Sequence, residues 1–227
     1  MTTVLITGAN RGIGLALASA YIARGDRVIA MVRDPFRVPD ILKTAPREHA
    51  VIIGMEVTDE RSVLRAAASL KEPIDILINN AGTKGPERQT AVDMDFAGFA
   101  QVLAVNTVAP LRVAQAFLPH LKQSSNPRIL TVSSQMGALS GARDGTVAYR
   151  ASKAAVNKIM QCLAFELKSE GITVCVAHPG WVRTDMGGAG ADISTTESAA
   201  GLVALLDRLT LEETGQFFRH DGSIHPW

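Results

Sequence analysis

The sequence predicts an α/β protein built as one doubly wound domain over residues 1–227, with a mainly parallel sheet of about seven strands and helices on both faces. Three observations predict it. The strand candidates read as continuous apolar runs, such as Val4-Leu5-Ile6, Val28-Ile29-Ala30-Met31-Val32 and Ile74-Asp75-Ile76-Leu77-Ile78. Runs of that kind belong to strands buried on both faces. Strand and helix patterns alternate along the whole chain, which implies right-handed crossovers. A glycine-bearing turn joins the first strand to the first helix.

The elements follow in order. Thr3–Thr7 reads as a strand and Gly12–Arg24 as a helix. Arg27–Val32 is a second strand, Val38–Thr44 at best a short helix, Val51–Met55 a strand and Glu60–Leu70 a helix. Ile74–Asn79 is a strand, Asp93 to Leu121 carries helical periodicity, and Arg128–Ser133 is a strand. Val147–Glu170 is a long helix, Thr173–Ala177 a strand, Thr195–Leu209 a helix and Gln216–Arg219 a last short strand. Polar loops at Ser133–Thr146 and Asp185–Thr196 are candidates for shaping a substrate pocket. No repeat, low-complexity tract or linker interrupts the pattern.

A chain of 227 residues with a net charge of +1 suits a single hydrophobic core. It lacks the basic face expected of a nucleic-acid or anionic-membrane binder. The start, Met1-Thr2-Thr3-Val4, has no basic leader, and apolar stretches such as Ala199 to Leu206 are too short for a bilayer. A cytoplasmic location is expected. Cys162 and Cys175, thirteen apart with no ligand-spaced partners, are expected to be buried apolar residues; neither a disulfide nor a metal site is expected.

The turn Thr7-Gly8-Ala9-Asn10-Arg11-Gly12-Ile13-Gly14 carries the first chemistry. Gly8 permits a tight turn, Gly12 lets a phosphate approach the backbone, and Gly14 lets the helix pack against the sheet. The free N–H groups that follow attract a pyrophosphate. At the end of the second strand, where an acid would hold a 2′-hydroxyl, stand Val32 and Arg33. With Arg11 they suit a 2′-phosphate, so NADP(H) is expected over NAD(H). The surface alternative pairs Arg33 with Asp34. Glu56 is placed to accept from an adenine amine, and Val57 to contribute contacts.

Tyr149 and Lys153, four apart, share one face at the start of a helix. An ammonium beside a phenol favours phenolate, and the helix N-terminus acts in the same direction. Ser134 closes a strand fifteen residues earlier and can bond a substrate oxygen. Asn79-Asn80-Ala81-Gly82 offers a small-residue platform for a ribose, with an amide able to tie neighbouring strands. Asn106 is an amide among apolar neighbours, placed to orient a water or a carbonyl near Lys153, or else to bond within its helix.

These segments, with Pro179-Gly180-Trp181-Val182-Arg183-Thr184, occur in an order that resembles the short-chain dehydrogenase/reductase family. Within it the chain is similar to the C-factor and Sniffer-type carbonyl reductases, which share a Rossmann fold. The resemblance implies that Tyr149 is the general acid in reduction and the base in oxidation. Lys153 binds the nicotinamide ribose and lowers the phenol, Ser134 polarises the carbonyl, and Asn106 holds a water in a proton relay. Val182 and Thr184, after Pro179 and Gly180, hold the carboxamide. The activity implied is hydride transfer between NADP(H) and a small aldehyde, ketone or quinone. The alternative is a nucleotide-binding signalling protein of the C-factor type with incidental turnover. Where the family usually has Asp, this chain has Glu56.

Gln135, Met136, Leu139 and Arg143 follow Ser134 and are candidate substrate contacts, although Arg143 and Arg183 suit solvent as well. Trp181 and Met186 either line an apolar substrate wall or pack in the core. His178 reads as structural. The helix from Val147 is apolar almost all round, so a second face needs a partner; a homodimer or homotetramer through it and the Asp93–Leu121 helix is expected.

Overall fold

A computed structural model describes residues 1–140 and 144–227; Arg143, a candidate substrate contact, lies outside them. Seven strands form one sheet: β1 (Thr3–Thr7), β2 (Arg27–Val32), β3 (Ala50–Gly54), β4 (Ile76–Asn79), β5 (Arg128–Val132), β6 (Thr173–His178) and β7 (Phe217–Arg219). Their order is β3-β2-β1-β4-β5-β6-β7, and every neighbouring pair is parallel. The chain moves outward from β1 to β3, then returns to lay β4 against the other side of β1. The strand order therefore reverses between β1 and β4, and a crevice opens above their carboxyl ends, where such sheets bind ligands.

The apolar runs are explained by two cores. Successive strand side chains point to opposite faces. Leu5, Ile29, Leu77 and Ile129 enter one cluster, while Val4, Ile6, Val28 and Ile78 enter the other. The first cluster is covered by α3 (Glu60–Ala68), α5 (Ala109–Leu121) and α6 (Val147–Leu167). The second is covered by α1 (Gly12–Ala23), α2 (Asp40–Thr44) and α7 (Thr195–Arg208).

Local sequence sets most boundaries. Asp59 caps α3 by accepting from the Arg61 N–H, and Ser194 with Glu197 forms a capping box at α7. The helical stretch expected from Asp93 begins later, as α4 (Phe96–Leu103), because the Asp95 carboxylate accepts from the Gly98 N–H and starts the helix there. It then passes through a π-helical turn, Ala104–Val108, before α5. Pro110 explains that turn: it has no N–H and its ring crowds the carbonyl four residues back, that of Asn106.

Two expectations are corrected. The continuous run Phe96–Leu121 has 26 residues and is long and apolar enough to cross a membrane, so the apolar segments are not all too short. Here one stripe of it, Val113, Ala114, Phe117 and Leu121, is packed into the sheet's first core. Cys175 is buried as expected, but Cys162 is exposed, because it lies on the side of α6 turned away from the sheet.

Candidate active site

The crevice between β1 and β4 is tied shut at its base. Thr7 Oγ1 accepts from the N–H groups of Asn80 and Ala81, each at 3.0 Å. The Asn80 amide donates to the carbonyls of Thr7 (2.9 Å) and Gly8 (3.2 Å). Asn79 donates to the Pro110 carbonyl at 3.2 Å, tying β4 to α5. The expectation that an asparagine here ties neighbouring strands is met, and Asn80 presents its amide to the glycine turn. Gly14 packs against this knot so closely that an added Cβ would lie 2.3 Å from the Gly8 carbonyl oxygen.

Above the knot, Gly8 and Gly12 both have positive φ (67° and 55°), a conformation glycine adopts without strain. A Cβ on Gly12 would stand 3.5 Å from Thr184 Cγ2, filling the gap between the turn and the segment after Pro179. That bare backbone, followed by the first N–H groups of α1 from Ile13 onward, is the shape a dinucleotide phosphate requires. The residues present fit such a cofactor.

Tyr149 and Lys153 emerge from the first turns of α6, with Lys153 Nζ 5.8 Å from the Tyr149 ring centroid. Lys153 is buried and donates to the Val132 carbonyl at 2.8 Å. Burial pushes its ammonium down to about 8. Ser134, just past β5, is buried, and its Oγ accepts from the Met136 N–H at 3.1 Å. Gly137 lets this loop lie on the helix: a Cβ there would be 2.7 Å from the Lys153 carbonyl carbon. The expected lowering of the Tyr149 phenol is not what the chain alone produces. Burial raises it, and the hydrogen bond to Ser134 only partly opposes that rise.

The Asn106 side chain, expected to orient a water or a carbonyl near Lys153 or else to bond within its helix, lies beside these groups and is bonded to Thr83 and Ser152. Its Oδ1 accepts from the Thr83 N–H at 2.9 Å, and its Nδ2 donates to the Thr83 carbonyl at 2.8 Å and to Ser152 Oγ at 3.0 Å. The amide is fully engaged in fixing the Gly82–Thr83 backbone to α6. The Asn106 main-chain carbonyl has Pro110, which carries no N–H, as its i+4 residue. Gly82 completes the group: a Cβ on it would be 3.3 Å from Asn106 Oδ1 and 3.9 Å from Lys153 Nζ.

The segment after β6 is pinned by a bridge between Val182 and Ile193. Thr184 Oγ1 accepts from the Gly187 N–H at 3.1 Å. Of the two alternatives for Trp181 and Met186, core packing is excluded: they are 51% and 41% exposed. The Trp181 indole donates to the Gly187 carbonyl at 2.9 Å. Gln135 and Leu139 are exposed and Met136 is half-buried. Arg183 donates to the Ala191 and Asp192 carbonyls, each at 2.9 Å. His178 is buried, T-stacked on His225, and pushed down to about 4 by burial and its histidine neighbours.

The residues expected at the adenine end are less gathered. Arg11 pairs with Asp185 across the crevice at 2.8 Å, and both are well exposed. Arg33 is exposed, while Asp34, its alternative partner, pairs with Arg37 at 3.5 Å. Glu56 turns its Oε1 back onto Thr58, accepting from its N–H (3.0 Å) and hydroxyl (2.8 Å), which is a local turn contact. Val57 is buried against the first core. Sequence reasoning missed Thr83 and Asn157. Asn157 stands one turn after Lys153 and accepts from Ser133 Oγ at 2.5 Å. Its signal was a polar residue four positions after Lys153 on an apolar helix.

Comparison with known proteins agrees with this geometry. The family described as short chain dehydrogenase matches residues 2–192. The C-signal protein of Myxococcus xanthus is 41% identical over 156 residues, which cover 68% of this chain and 93% of that protein. The NADPH-bound carbonyl reductase from chicken fatty liver is similar with a TM-score of 0.92 at 34% identity, covering 100% of this chain and 99% of that one. The carbonyl reductase Sniffer of D. melanogaster is similar with a TM-score of 0.93 at 28% identity, covering 100% of both chains.

The buried ammonium has a stability consequence. Lys153 sits at about 8 in the folded chain against an ordinary 10.5, so between those values the unfolded chain binds more protons. Its contribution to stability therefore improves as pH rises through that window, and the full penalty stands below it. Lys153→Met is expected to stabilise the cofactor-free protein at pH 7 by roughly 1–3 kcal/mol while abolishing turnover. The gain should shrink near pH 10. Urea denaturation at both pH values checks it; a variant less stable than wild type at pH 7 contradicts the assignment.

Proposed function

Because the chain belongs to the short-chain dehydrogenase family and is an oxidoreductase of a CH–OH/C=O pair, we propose that it is an NADPH-dependent reductase of small aldehydes, ketones or quinones. The observation that carries this reading is the meeting of Ser134, Tyr149 and Lys153 at the mouth of the Gly8–Gly14 crevice. The nicotinamide, when bound, supplies or accepts the hydride. Pro179, Gly180, Val182 and Thr184 would hold its carboxamide end; Gly8, Asn10, Gly12, Ile13 and Gly14 the phosphates; and Asn80, Ala81 and Gly82 the ribose floor.

The chain's own residues manage the proton. Ser134 Oγ donates to the carbonyl oxygen and fixes it beside the Tyr149 hydroxyl. Tyr149 protonates that oxygen in reduction and takes the proton back in oxidation. Burial holds the phenol protonated in the chain alone, which suits an acid and opposes a base. Lys153 would exchange its Val132 contact for ribose hydroxyls, and its ammonium then favours the ionised phenol. The Asn106 carbonyl would receive the relay water behind Lys153.

NADP(H) is favoured over NAD(H) by Arg33, exposed at the end of β2 with no acid in its place, and by Arg11 in the glycine turn. NADPH in the similar chicken reductase supports the same choice. The C-signal likeness invites the signalling alternative, but no feature of the site favours it. The exposed free thiol of Cys162 fits a reducing, cytoplasmic compartment. Phe165, 85% exposed on the outer side of α6, supports a homodimer through that helix.

Three measurements test the reading. With NADPH and a panel of carbonyl compounds, Tyr149→Phe should keep NADPH affinity within about twofold and lower kcat by a factor of roughly 10² or more; unchanged turnover refutes the mechanism. Arg11→Ala combined with Arg33→Ala should weaken NADPH far more than NADH, and equal losses refute the 2′-phosphate assignment. Light scattering at micromolar concentration should return a dimer mass, and a monomer mass refutes the α6 interface.

A further inference from the structure

The catalytic helix has no cap of its own. Its N-cap residue, Thr146, has a left-handed backbone (φ 50°, ψ 35°), and its side chain accepts nothing from the helix. Thr146 is also the one non-glycine residue with positive φ among the described residues. A β-branched residue stays in that conformation only where its surroundings over-determine it.

The missing acceptors come from sixty residues away in sequence. The Gln89 main-chain carbonyl accepts from the Val147 N–H at 2.8 Å. The Gln89 side-chain Oε1 accepts from the N–H of Tyr149 itself at 3.2 Å. At its other end, Gln89 Nε2 donates to the carbonyls of Pro86 (2.7 Å) and Lys84 (3.1 Å). Those two acceptors fix which way the amide faces, since a flipped amide would set a donor against the Tyr149 N–H. Gln89 is 4% exposed, a costly place for a primary amide unless both ends are bonded, as they are here. The same loop is held one step upstream, where Thr83 exchanges two hydrogen bonds with Asn106.

We propose that Gln89 is a positioning residue for the Tyr149 phenol: it caps the first turn of α6 from outside and ties that turn to the loop running from Thr83. It touches neither substrate nor cofactor and acts only through the Tyr149 backbone. The proposal rests on the carbonyl-reductase reading for its effect on rate, but its structural part does not. A frayed first turn displaces the phenol on the scale of the rise per residue, about 1.5 Å, and a misplacement of about 1 Å costs on the order of 10²-fold in rate.

The test compares wild type, Gln89→Met and Gln89→Glu, each checked for folding by circular dichroism. Three quantities are read: kcat and KM for a carbonyl substrate, the NADPH Kd by fluorescence, and hydrogen exchange of the peptide over residues 144–153. Gln89→Met should lower kcat about tenfold or more with NADPH Kd within about twofold, and should speed exchange at the start of α6. Gln89→Glu sets a carboxylate oxygen against the Pro86 and Lys84 carbonyls, loses both donations, and should fall with Gln89→Met, about tenfold or more below the wild-type kcat. Should Gln89→Met not fold, Gln89→Asn, whose amide is too short to reach both sides, replaces it with the same expectation. Unchanged kcat or exchange in Gln89→Met, a parallel loss of NADPH affinity, or Gln89→Glu as active as wild type overturns the proposal. A wild-type chain that reduces no carbonyl overturns the functional reading alone, and the exchange result then decides the role of Gln89.

Discussion

Thr7 and Asn80 sit where the sheet changes direction, and their mutual hydrogen bonds decide what the crevice above them can be. Two parallel strands whose connections leave in opposite directions must splay at their carboxyl ends. The splay exposes main-chain groups that neither strand can satisfy alone. A threonine hydroxyl and an asparagine amide satisfy them across the gap, at the level where β1 becomes the glycine turn. Gly14 then has room to lie on the Gly8 carbonyl, and α1 can start with its N–H groups aimed into the crevice. That knot is the floor on which the glycine turn rests.

The catalytic side works against stability. Lys153 is a buried ammonium bonded to one carbonyl, and Tyr149 is a phenol that burial keeps protonated. Burial disfavours the charged form of each, which keeps the phenol neutral and makes the ammonium costly. The fold tolerates that cost because α6 is anchored along its length, with Val156, Met160 and Leu163 in the first core and Asn157 bonded to Ser133. Its N-terminal turn is the exception, and there the anchoring comes from a distant loop.

The sequence revealed what local periodicity and turn chemistry dictate. Strands buried on both faces leave continuous apolar runs, so β1, β2 and β4 were legible, as was the glycine turn between β1 and α1. The Tyr149–Lys153 face was legible because helical spacing alone places the two together. The π-helical turn is written in Pro110 but hidden by the apolar periodicity that continues through it. The engagement of the Asn106 amide by Thr83 was not legible, because it depends on a loop folding back from twenty-three residues away. The exposure of Cys162 depends on which side of α6 meets the sheet, and an all-round apolar helix does not state that.

The adenine end is where sequence and structure differ most, and the difference is one of energy more than of residue type. Arg11 was expected near a 2′-phosphate and is found on Asp185. Both partners are largely exposed, and such pairs contribute only about 0–1 kcal/mol. A phosphate dianion offers a guanidinium a shorter, bidentate and more strongly charged partner than one surface carboxylate. Arg11 can therefore leave Asp185 at little cost, and the present ion pair is compatible with a phosphate-binding role. Glu56 is different: its Oε1 receives two local hydrogen bonds from Thr58, one of them from a backbone N–H, which fix how the carboxylate is turned and leave Oε2 as its acceptor. Of the three charged contacts expected at that end, Arg33 is exposed, Arg11 is held only by a surface ion pair, and Glu56 has one carboxylate oxygen engaged locally.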